Sequence, residues 1–169
     1  ELSLLGVLHA HQCGKAGKHH TDMQGLRNMK RILVLCTGNS ARSQMGEGLF
    51  RHEGAGEWQV ESAGTKPSLV RPEAIAAMAE IGFDISGHRS KSVDEFLGQN
   101  FDYVVTVCDN ARDACPVFPG AANRIHWSFE DPAAVQGTEQ HRMAEFRRIR
   151  DQIQERVRAF AADMRSDNR

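Results

Sequence analysis

The sequence predicts an α/β fold with a four-stranded parallel sheet in a three-layer, doubly wound arrangement flanked by helices. Two observations lead to this expectation. Short apolar runs alternate with amphipathic segments along most of the chain, and the first run, at residues 32–35, is apolar without interruption. Strands that alternate with helices form parallel sheets, and a strand buried on both faces loses the alternation of polar and apolar residues.

Four runs are predicted as strands. The run at 32–35 is followed by one at 58–62, which Gly64 closes. The run at 103–107 is the richest in β-forming residues, and the last lies at 124–127. Because a helical crossover brings the chain back to start the next strand in the same direction, we expect these strands to run parallel.

Helices are predicted between and after the strands. Residues 41–51 place apolar side chains on one side of a helix, and Pro72 and Gly82 suit the first turn and the end of a second helix. Ser92 and Glu95 have the spacing of a capping box that would begin a short helix. The final segment carries the apolar stripe of a long amphipathic helix, made of Met143, Phe146, Ile149, Ile153, Val157, Phe160 and Met164.

The composition excludes several classes of function. Of the 169 residues, 40% are apolar and 25% are charged, and the formal net charge is −1. No polybasic field favours a nucleic-acid partner, and no apolar run reaches the roughly 18–20 residues that a membrane span needs. Four cysteines are too few for a secreted disulfide scaffold, and in a reducing compartment such cysteines are more often catalytic or metal-binding. We therefore expect a cytoplasmic protein.

The first 28 residues differ from the rest of the chain. They hold four of the eight histidines and Cys13 but no sustained periodicity, and their apolar start lacks the basic leader of a signal peptide. The histidines could bind a metal adventitiously, whereas a designed zinc site usually shows paired cysteines or regular Cys/His spacing. We expect residues 1–28 to be a disordered extension, residues 29–169 to form a single catalytic domain, and no metal site.

One cysteine stands at the carboxyl end of the first predicted strand. Cys36 is followed by a short polar loop that leads into a helix, the place where open α/β sheets bind ligands. Backbone N–H groups of the loop and the helix N-terminus would converge on an anion, with Gly38 permitting close approach and Asn39 tolerating a left-handed conformation. The loop residues are Thr37, Gly38, Asn39, Ser40, Ala41, Arg42 and Ser43.

The spacing Cys-x5-Arg-Ser indicates a thiolate beneath a bound tetrahedral oxyanion. Arg42 offers a planar fork for two oxyanion oxygens, and Ser43 can donate a hydrogen bond to the Cys36 sulfur. We expect this positive environment to lower the pKa of Cys36. The alternative is a buried structural cysteine beside a surface arginine, but the flanking strand, the helix and the composition of the loop all favour the catalytic interpretation.

The run CTGNSARSQM resembles the signature of the low-molecular-weight protein tyrosine phosphatase superfamily, and within it the thioredoxin-coupled arsenate reductases. The resemblance extends from about residue 30 to about residue 162. It implies the phosphatase-like strand order 2-1-3-4 and a loop supported by Asn39 together with Ser62. It also implies that Asp131, in an Asp-Pro pair after the fourth strand, is the general acid; on the residues alone, Asp131 could equally be a turn residue.

Two further cysteines flank a segment after the third predicted strand. Cys108 ends that strand, near the expected position of Cys36, and Cys115 follows before Pro116. A phosphatase needs neither thiol, whereas a reductase needs two electrons that a pair of thiols can supply. If the intervening residues are helical, the two cysteines lie ~10 Å apart along the axis, farther than the about 7 Å that a disulfide allows. We therefore predict two conformations of residues 108–119, one reduced and one oxidised.

The resemblance implies a relay of three cysteines. The Cys36 thiolate attacks arsenic, Cys108 releases arsenite by forming a disulfide with Cys36, and Cys115 then takes Cys108 into a Cys108–Cys115 disulfide. Reduced thioredoxin would supply the electrons, and no bound cofactor is implied. The chain departs from many relatives at Ala41, where they carry another loop cysteine. The positive charges of Arg89 and Lys91 also argue against the potassium site found in some reductases.

Three alternatives remain open. The chain could be a tyrosine phosphatase, although Ala133 follows the Asp-Pro pair where those enzymes usually carry tyrosines, and Gln44 stands where they usually have proline. Weak phosphatase activity is expected in any case, since phosphate and arsenate share shape and charge. The reductant could be a low-molecular-weight thiol with a glutaredoxin-like partner, which retention of both Cys108 and Cys115 disfavours. The third alternative is a non-catalytic oxyanion sensor.

Overall fold

The computed structural model describes residues 29–116, 118, 121 and 123–167. The predictions for residues 1–28, including Cys13, lie outside this part of the chain, as do some positions of the segment 108–119. Four strands form one sheet: β1 (Lys30–Cys36), β2 (Trp58–Gly64), β3 (Tyr103–Thr106) and β4 (Asn123–His126). All the pairings are parallel and the order is β2-β1-β3-β4, which confirms the predicted sheet.

The central strand β1 explains why its sequence is apolar without interruption. Val34 pairs with Ser62 of β2 on one side and with Val105 of β3 on the other. With a layer of protein above and below the sheet, Ile32 and Leu35 are fully buried. A strand in this position gains from apolar side chains at every residue, because both of its faces are removed from water.

The α-helices lie in chain order as α1 (Arg42–Gly54), α2 (Pro72–Ala79), α3 (Asp109–Asp113) and α4 (Glu139–Asp167). Two short 3₁₀ helices, Val93–Phe96 and Pro132–Ala134, complete the structure. Predicted and observed bounds differ by up to three residues: α1 continues to Gly54, and α2 ends at Ala79 although Gly82 adopts the expected positive φ of 84°. None of the described helices is long and apolar enough to span a bilayer.

Different layers cover the two faces of the sheet. On one face α1, α2 and α4 pack in a core that includes Ile32 and Val34. The other face is thinner and is covered by the capped 3₁₀ helix Val93–Phe96 together with Phe101 and Phe118. The capping box begins this helix as predicted, with both of its hydrogen bonds present.

The stripe predicted for the last helix is only partly the buried face of α4. Phe146, Ile149, Ile153 and Val157 are buried, whereas Met143, Phe160 and Met164 lie at the edges and are partly exposed. Arg150 is also buried, and its guanidinium donates to the Ala77 carbonyl of α2 at 2.7 Å. This hydrogen bond offsets part of the cost of removing the charge from water. A buried arginine of this kind depends on a distant carbonyl, which apolar periodicity does not reveal.

Candidate active site

The strand order brings the carboxyl ends of β1, β3 and β4 to one edge of the sheet. Cys36 ends β1, Cys108 follows β3, and the segment after β4 leads to Asp131. Cys36, Cys108 and Asp131 therefore lie at one edge, because parallel neighbours finish on the same side, whereas Cys115 lines a separate cavity with Val104 and Arg124.

Cys36 is held inside the loop that follows β1. Its side chain is almost fully buried, and the backbone N–H of Asn39 donates to the Sγ atom at 3.1 Å. The Ser43 hydroxyl lies 2.8 Å from the same sulfur. Asn39 has a positive φ of 44°, as its residue type suggested, and this conformation turns its N–H toward the thiol.

The loop carbonyls are tied to the segment that follows β2. Thr37, Gly38 and Ser40 accept hydrogen bonds from the backbone N–H groups of Lys66, Ser68 and Arg71 at 2.9, 3.0 and 2.8 Å. In a trans peptide, the N–H points opposite to its carbonyl. Outward-facing carbonyls therefore turn the following N–H groups toward the space above the sulfur, and that arrangement suits an anion.

Buried hydrogen bonds fix the shape of the loop. The Asn39 side chain donates to the Ser43 and Ser62 hydroxyls, each at 2.8 Å, and accepts from the Lys91 N–H at 2.7 Å. Ser62 donates in turn to Glu47. The predicted link between Asn39 and Ser62 is therefore present.

Gln44 supports the loop in a way that sequence analysis missed. Its Nε2 atom donates to the Asn39 Oδ1 at 2.9 Å and to the Arg89 carbonyl at 3.0 Å. Its Oε1 lies 3.0 Å from the Nδ1 of His88. A glutamine on the buried side of a predicted helix was the one available signal, since such a group must find partners.

A buried ion pair lies behind the loop. Glu47 is almost fully buried and meets the Lys91 ammonium at 3.2 Å and the Arg51 guanidinium at 2.6 Å. Lys91 also lies 2.8 Å from Glu61. The Lys91 ammonium thus supplies the positive charge between the Glu47 and Glu61 carboxylates. The spacing of these residues along the sequence did not reveal that they are in contact.

Gly64 is required by the close approach of β2 to the loop. A Cβ atom at this position would lie 2.5 Å from the Thr37 oxygen and 2.8 Å from the Asn39 nitrogen. Both are backbone atoms, so a larger residue would displace the loop itself. The glycine that was predicted to close a strand therefore also shapes the anion cradle, by which we mean the loop of residues 36–43 and the space that it encloses.

Arg42 and Asp131 lie beside each other in the lining of the cavity that also contains Cys36. The guanidinium lies 3.5 Å from the Asp131 Oδ2 and donates to the Phe129 carbonyl at 3.0 Å. The Asp131 Oδ1 accepts from the Ala133 N–H at 3.1 Å, which fixes the carboxylate at the start of a 3₁₀ turn. The cavity has a volume of about 260 Å³ and is lined by loop residues between 36 and 42 and by Arg71, Asn110, Asp131 and Ala133.

The expected fall in the pKa of Cys36 is wrong for this structure. Burial raises the pKa of the thiol and outweighs the Ser43 hydrogen bonds and the Arg42 charge, both of which lower it. The neighbouring Cys108 raises it further. The Arg42 charge is moreover shared with Asp131, so the loop does not present a full uncompensated cation to the sulfur.

Cys108 lies against the loop that carries Cys36. Its side chain is buried at the N-terminus of α3, and its Sγ atom lies 3.5 Å from the Thr37 hydroxyl. Cys115 is half-buried beyond the end of α3, where its thiol donates to the Pro116 carbonyl at 3.4 Å. Burial raises the pKa of Cys115, and the Arg124 charge lowers it. All three described cysteines are free thiols.

Residues 31–169 match the family described as "Low molecular weight phosphotyrosine protein phosphatase". The chain belongs to this family. The "Arsenate reductase" of Halalkalibacterium halodurans is 48% identical over 134 residues, which cover 79% of this chain and 96% of that one. The structure titled "An arsenate reductase in the phosphate binding state" has a TM-score of 0.70 and 36% identity, and the match covers 80% of this chain and 98% of the other.

A further similar structure names the electron donor in its description. It is the thioredoxin-dependent arsenate reductase of Corynebacterium glutamicum, with a TM-score of 0.65 and 25% identity. That match covers 82% of this chain and 63% of the other.

Proposed function

We propose that this protein reduces arsenate to arsenite by a relay of three cysteines that ends in a disulfide reduced by thioredoxin. The observation that carries the proposal is the position of Cys108, whose sulfur lies 3.5 Å from Thr37 in the loop that surrounds Cys36. Oxyanion transfer alone needs one thiol. A second buried thiol in contact with the same loop suits a reaction in which two electrons leave the protein.

The first step forms a bond between Cys36 and arsenic. The loop N–H groups and Arg42 bind the anion, the Cys36 thiolate attacks, and Asp131 donates the proton with which one oxygen leaves as water. Arg42 now lies near Asp131, so an incoming anion would compete for the same guanidinium and release the carboxyl group to act. Ser43 stabilises the thiolate, which burial otherwise disfavours.

The second and third steps carry the oxidation outward. Cys108 attacks the Cys36 sulfur, the electrons of the sulfur–arsenic bond pass to arsenic, and arsenite departs from a Cys36–Cys108 disulfide. Cys115 then attacks Cys108 and releases the Cys36 thiolate. Two thiols have been oxidised and one arsenic reduced by two electrons, so the exchange balances when a reduced thioredoxin opens the Cys108–Cys115 disulfide.

The third step requires α3 to change shape. The helix spans only Asp109–Asp113, so few hydrogen bonds hold it. Cys108 and Cys115 flank this helix seven positions apart, and a fully helical path of that length would span ~10 Å, more than the about 7 Å between Cα atoms that a disulfide tolerates. Unwinding of α3 would let the two cysteines approach each other. Pro116 limits any continuation of the helix, and this favours unwinding.

The relay needs reduced thiols at the start of every turnover. The proposal therefore places the protein in the cytoplasm, where thioredoxin keeps thiols reduced. The C. glutamicum relative, named as thioredoxin-dependent, supports this choice of reductant over a low-molecular-weight thiol.

The deciding experiment is arsenate-dependent NADPH consumption in the presence of thioredoxin and thioredoxin reductase. Cys36→Ser, Cys108→Ser and Cys115→Ser should each abolish turnover, whereas Cys13→Ser, the matched cysteine variant, should leave it intact. Mass spectrometry of protein treated with arsenate but no reductant should find the Cys108–Cys115 disulfide. Turnover in Cys115→Ser at the wild-type rate would overturn the relay.

A phosphatase activity is the second candidate, and the anion cradle itself favours it. Phosphate monoesters carry the same tetrahedral anion, and Cys36, Arg42 and Asp131 suffice for their hydrolysis. We expect weak hydrolysis of para-nitrophenyl phosphate, which Cys36→Ser abolishes and Cys108→Ser leaves unchanged. Hydrolysis faster than arsenate reduction would make phosphatase the main activity.

A further inference from the structure

Arg71 lies on the rim of the oxyanion cavity and was not singled out by the sequence. It lines the same cavity as Cys36, Arg42 and Asp131, and it is exposed to solvent. Among the residues that the structure describes, none forms a hydrogen bond or ion pair with its guanidinium. The other arginine of the cavity, Arg42, is by contrast already engaged by Asp131 and the Phe129 carbonyl.

The backbone of Arg71 is held by hydrogen bonds on both sides. Its N–H donates to the Ser40 carbonyl at 2.8 Å, and its own carbonyl accepts from Ala74 and Ile75 at 3.0 and 3.1 Å. The Cα atom is therefore anchored both to the Cys36 loop and to the first turn of α2. A long flexible cation attached at this point can reach an anion above the loop without moving the backbone.

The stability of α2 does not explain an arginine here. Arg71 is the N-cap residue of α2, and its side chain accepts no hydrogen bond from the helix. N-cap positions favour Ser, Thr, Asp or Asn, and a cation is unfavourable near the positive end of a helix. The placement becomes understandable if the cation serves an anion in the cavity.

We propose that Arg71 is a second oxyanion-binding cation, which captures the incoming anion and offsets the negative charge of Asp131. Its relevance to arsenate rests on the proposed function. Arg42, which is partly buried beside Asp131, would hold the anion for attack, while Arg71 would contact its outward oxygens. Arg71 would thus strengthen binding of the anion without entering the bond-making step.

Phosphate, which cannot be reduced, provides a test that needs no turnover. The rate at which iodoacetamide alkylates Cys36, followed by peptide mass spectrometry, should fall as phosphate fills the cavity, and its concentration dependence gives a dissociation constant. Arg71→Ala should weaken phosphate about tenfold, as expected for a hydrogen bond to a charged group. Arg71→Lys should recover most of the loss, and added salt should narrow the gap between wild type and Arg71→Ala.

Lys66→Ala is the matched control. Lys66 is an exposed cation of the same segment, and its N–H also binds a loop carbonyl, but it does not line the cavity. We expect its phosphate affinity to equal that of wild type. Equal phosphate affinities for wild type and Arg71→Ala would overturn the proposal. An equal loss of phosphate affinity in Lys66→Ala and Arg71→Ala would also overturn it, because it would show that any nearby positive charge attracts the anion. The thermal melting temperature of Arg71→Ala should equal that of wild type. Arg71→Gln, which removes the charge but keeps a polar side chain, should show the same loss of phosphate affinity if Arg71→Ala proves unstable.

Steady-state kinetics separate this inference from the proposed function. With arsenate, Arg71→Ala should raise KM about tenfold and leave kcat within about twofold, because the lost contact is equal before and during attack. A fall in kcat with unchanged KM would overturn the role in capture. If wild type does not reduce arsenate at all, the proposed function fails, whereas the phosphate measurement still decides the role of Arg71.

Discussion

The Nε2 atom of His126 lies 2.9 Å from the Oδ1 of Asp109, and this contact ties α3 to the end of β4. Ser128 donates to the other carboxylate oxygen at 3.1 Å. The imidazole is held from behind by the Thr106 hydroxyl, 2.8 Å from its Nδ1. Asp109 directly follows Cys108, so the contact fixes the start of the segment that the proposed relay must unwind.

Loss of this contact should loosen α3. Asp109→Ala should increase the mobility of residues 109–113 in the reduced protein and speed formation of the Cys108–Cys115 disulfide after arsenate is added. Amide relaxation measured by NMR and quenched-flow thiol trapping would report the two effects. Asp113→Ala removes a carboxylate of the same helix that, within the described part of the chain, pairs with Arg112 alone, and it should change neither property. Equal effects in both variants would contradict the role of the contact.

Acid should loosen the same segment. Hydrogen bonds from His126 and then Ser128 hold the pKa of Asp109 below its usual value. A carboxylate with a lowered pKa contributes stability that is present above its unfolded pKa and is lost as the pH falls through its folded pKa. The α3 amide shifts should therefore change only below the normal aspartate range, and a midpoint at or above that range would disagree with the structure.

Asn39 should be critical for stability as well as for the shape of the loop. Asn39→Ala removes the partner of the buried Lys91 N–H, whereas the Ser62 hydroxyl keeps its hydrogen bond to Glu47, and a loss of about 1–3 kcal/mol in the free energy of unfolding is expected. Urea denaturation measures this loss. Asn100→Ala, on the exposed surface, should stay within about 0.5 kcal/mol of wild type. Similar values for the two variants would contradict the network.

Gly64→Ala should distort the anion cradle. The new Cβ would meet two backbone atoms of the loop at less than 3 Å, and overpacking of this kind costs about 1–3 kcal/mol. Thermal melting should show the destabilisation, and phosphate should no longer protect Cys36 from alkylation. Gly87→Ala, where a Cβ meets nothing within 4 Å, is the control. Full phosphate protection in Gly64→Ala would refute the tight contact.

Asp131 and its neighbour Glu130 provide a matched test of the general acid. Asp131→Asn should lower the rate of arsenate reduction by about 10²–10⁴, the usual contribution of a positioned acid. Glu130→Gln removes an exposed carboxylate that pairs with Arg148 outside the cavity, and turnover should be unchanged. A comparable loss in both variants would show that charge near the cavity, rather than proton donation, explains the effect.

The pKa of Cys36 should control its reactivity. Burial raises this pKa, so alkylation by iodoacetamide should accelerate with rising pH across the range above neutrality. Ser43→Ala removes a hydrogen bond that lowers the pKa, and the profile should move to higher pH. Ser166→Ala, at the far end of α4, should leave the profile in place. Identical profiles for wild type and Ser43→Ala would contradict the assigned hydrogen bond.

Local patterns were sufficient for the elements and for the reactive loop. The uninterrupted apolar run predicted β1 because a central parallel strand is buried on both faces. Asn39 predicted the positive φ within the loop, because few other residue types accept that backbone. These features depend on residues adjacent in the chain, so the sequence by itself determined them, together with the position of Cys36 at a strand end.

Only the tertiary structure decided which distant groups meet. The strand order β2-β1-β3-β4 brings Lys91 to Glu47, and the packing of β4 beside α3 brings His126 to Asp109. The same packing buries Cys36 deeply enough to raise its pKa, against the prediction made from the charges of the loop. Burial and long-range pairing are properties of the whole packed chain, and no local spacing encodes how much water remains around a given atom.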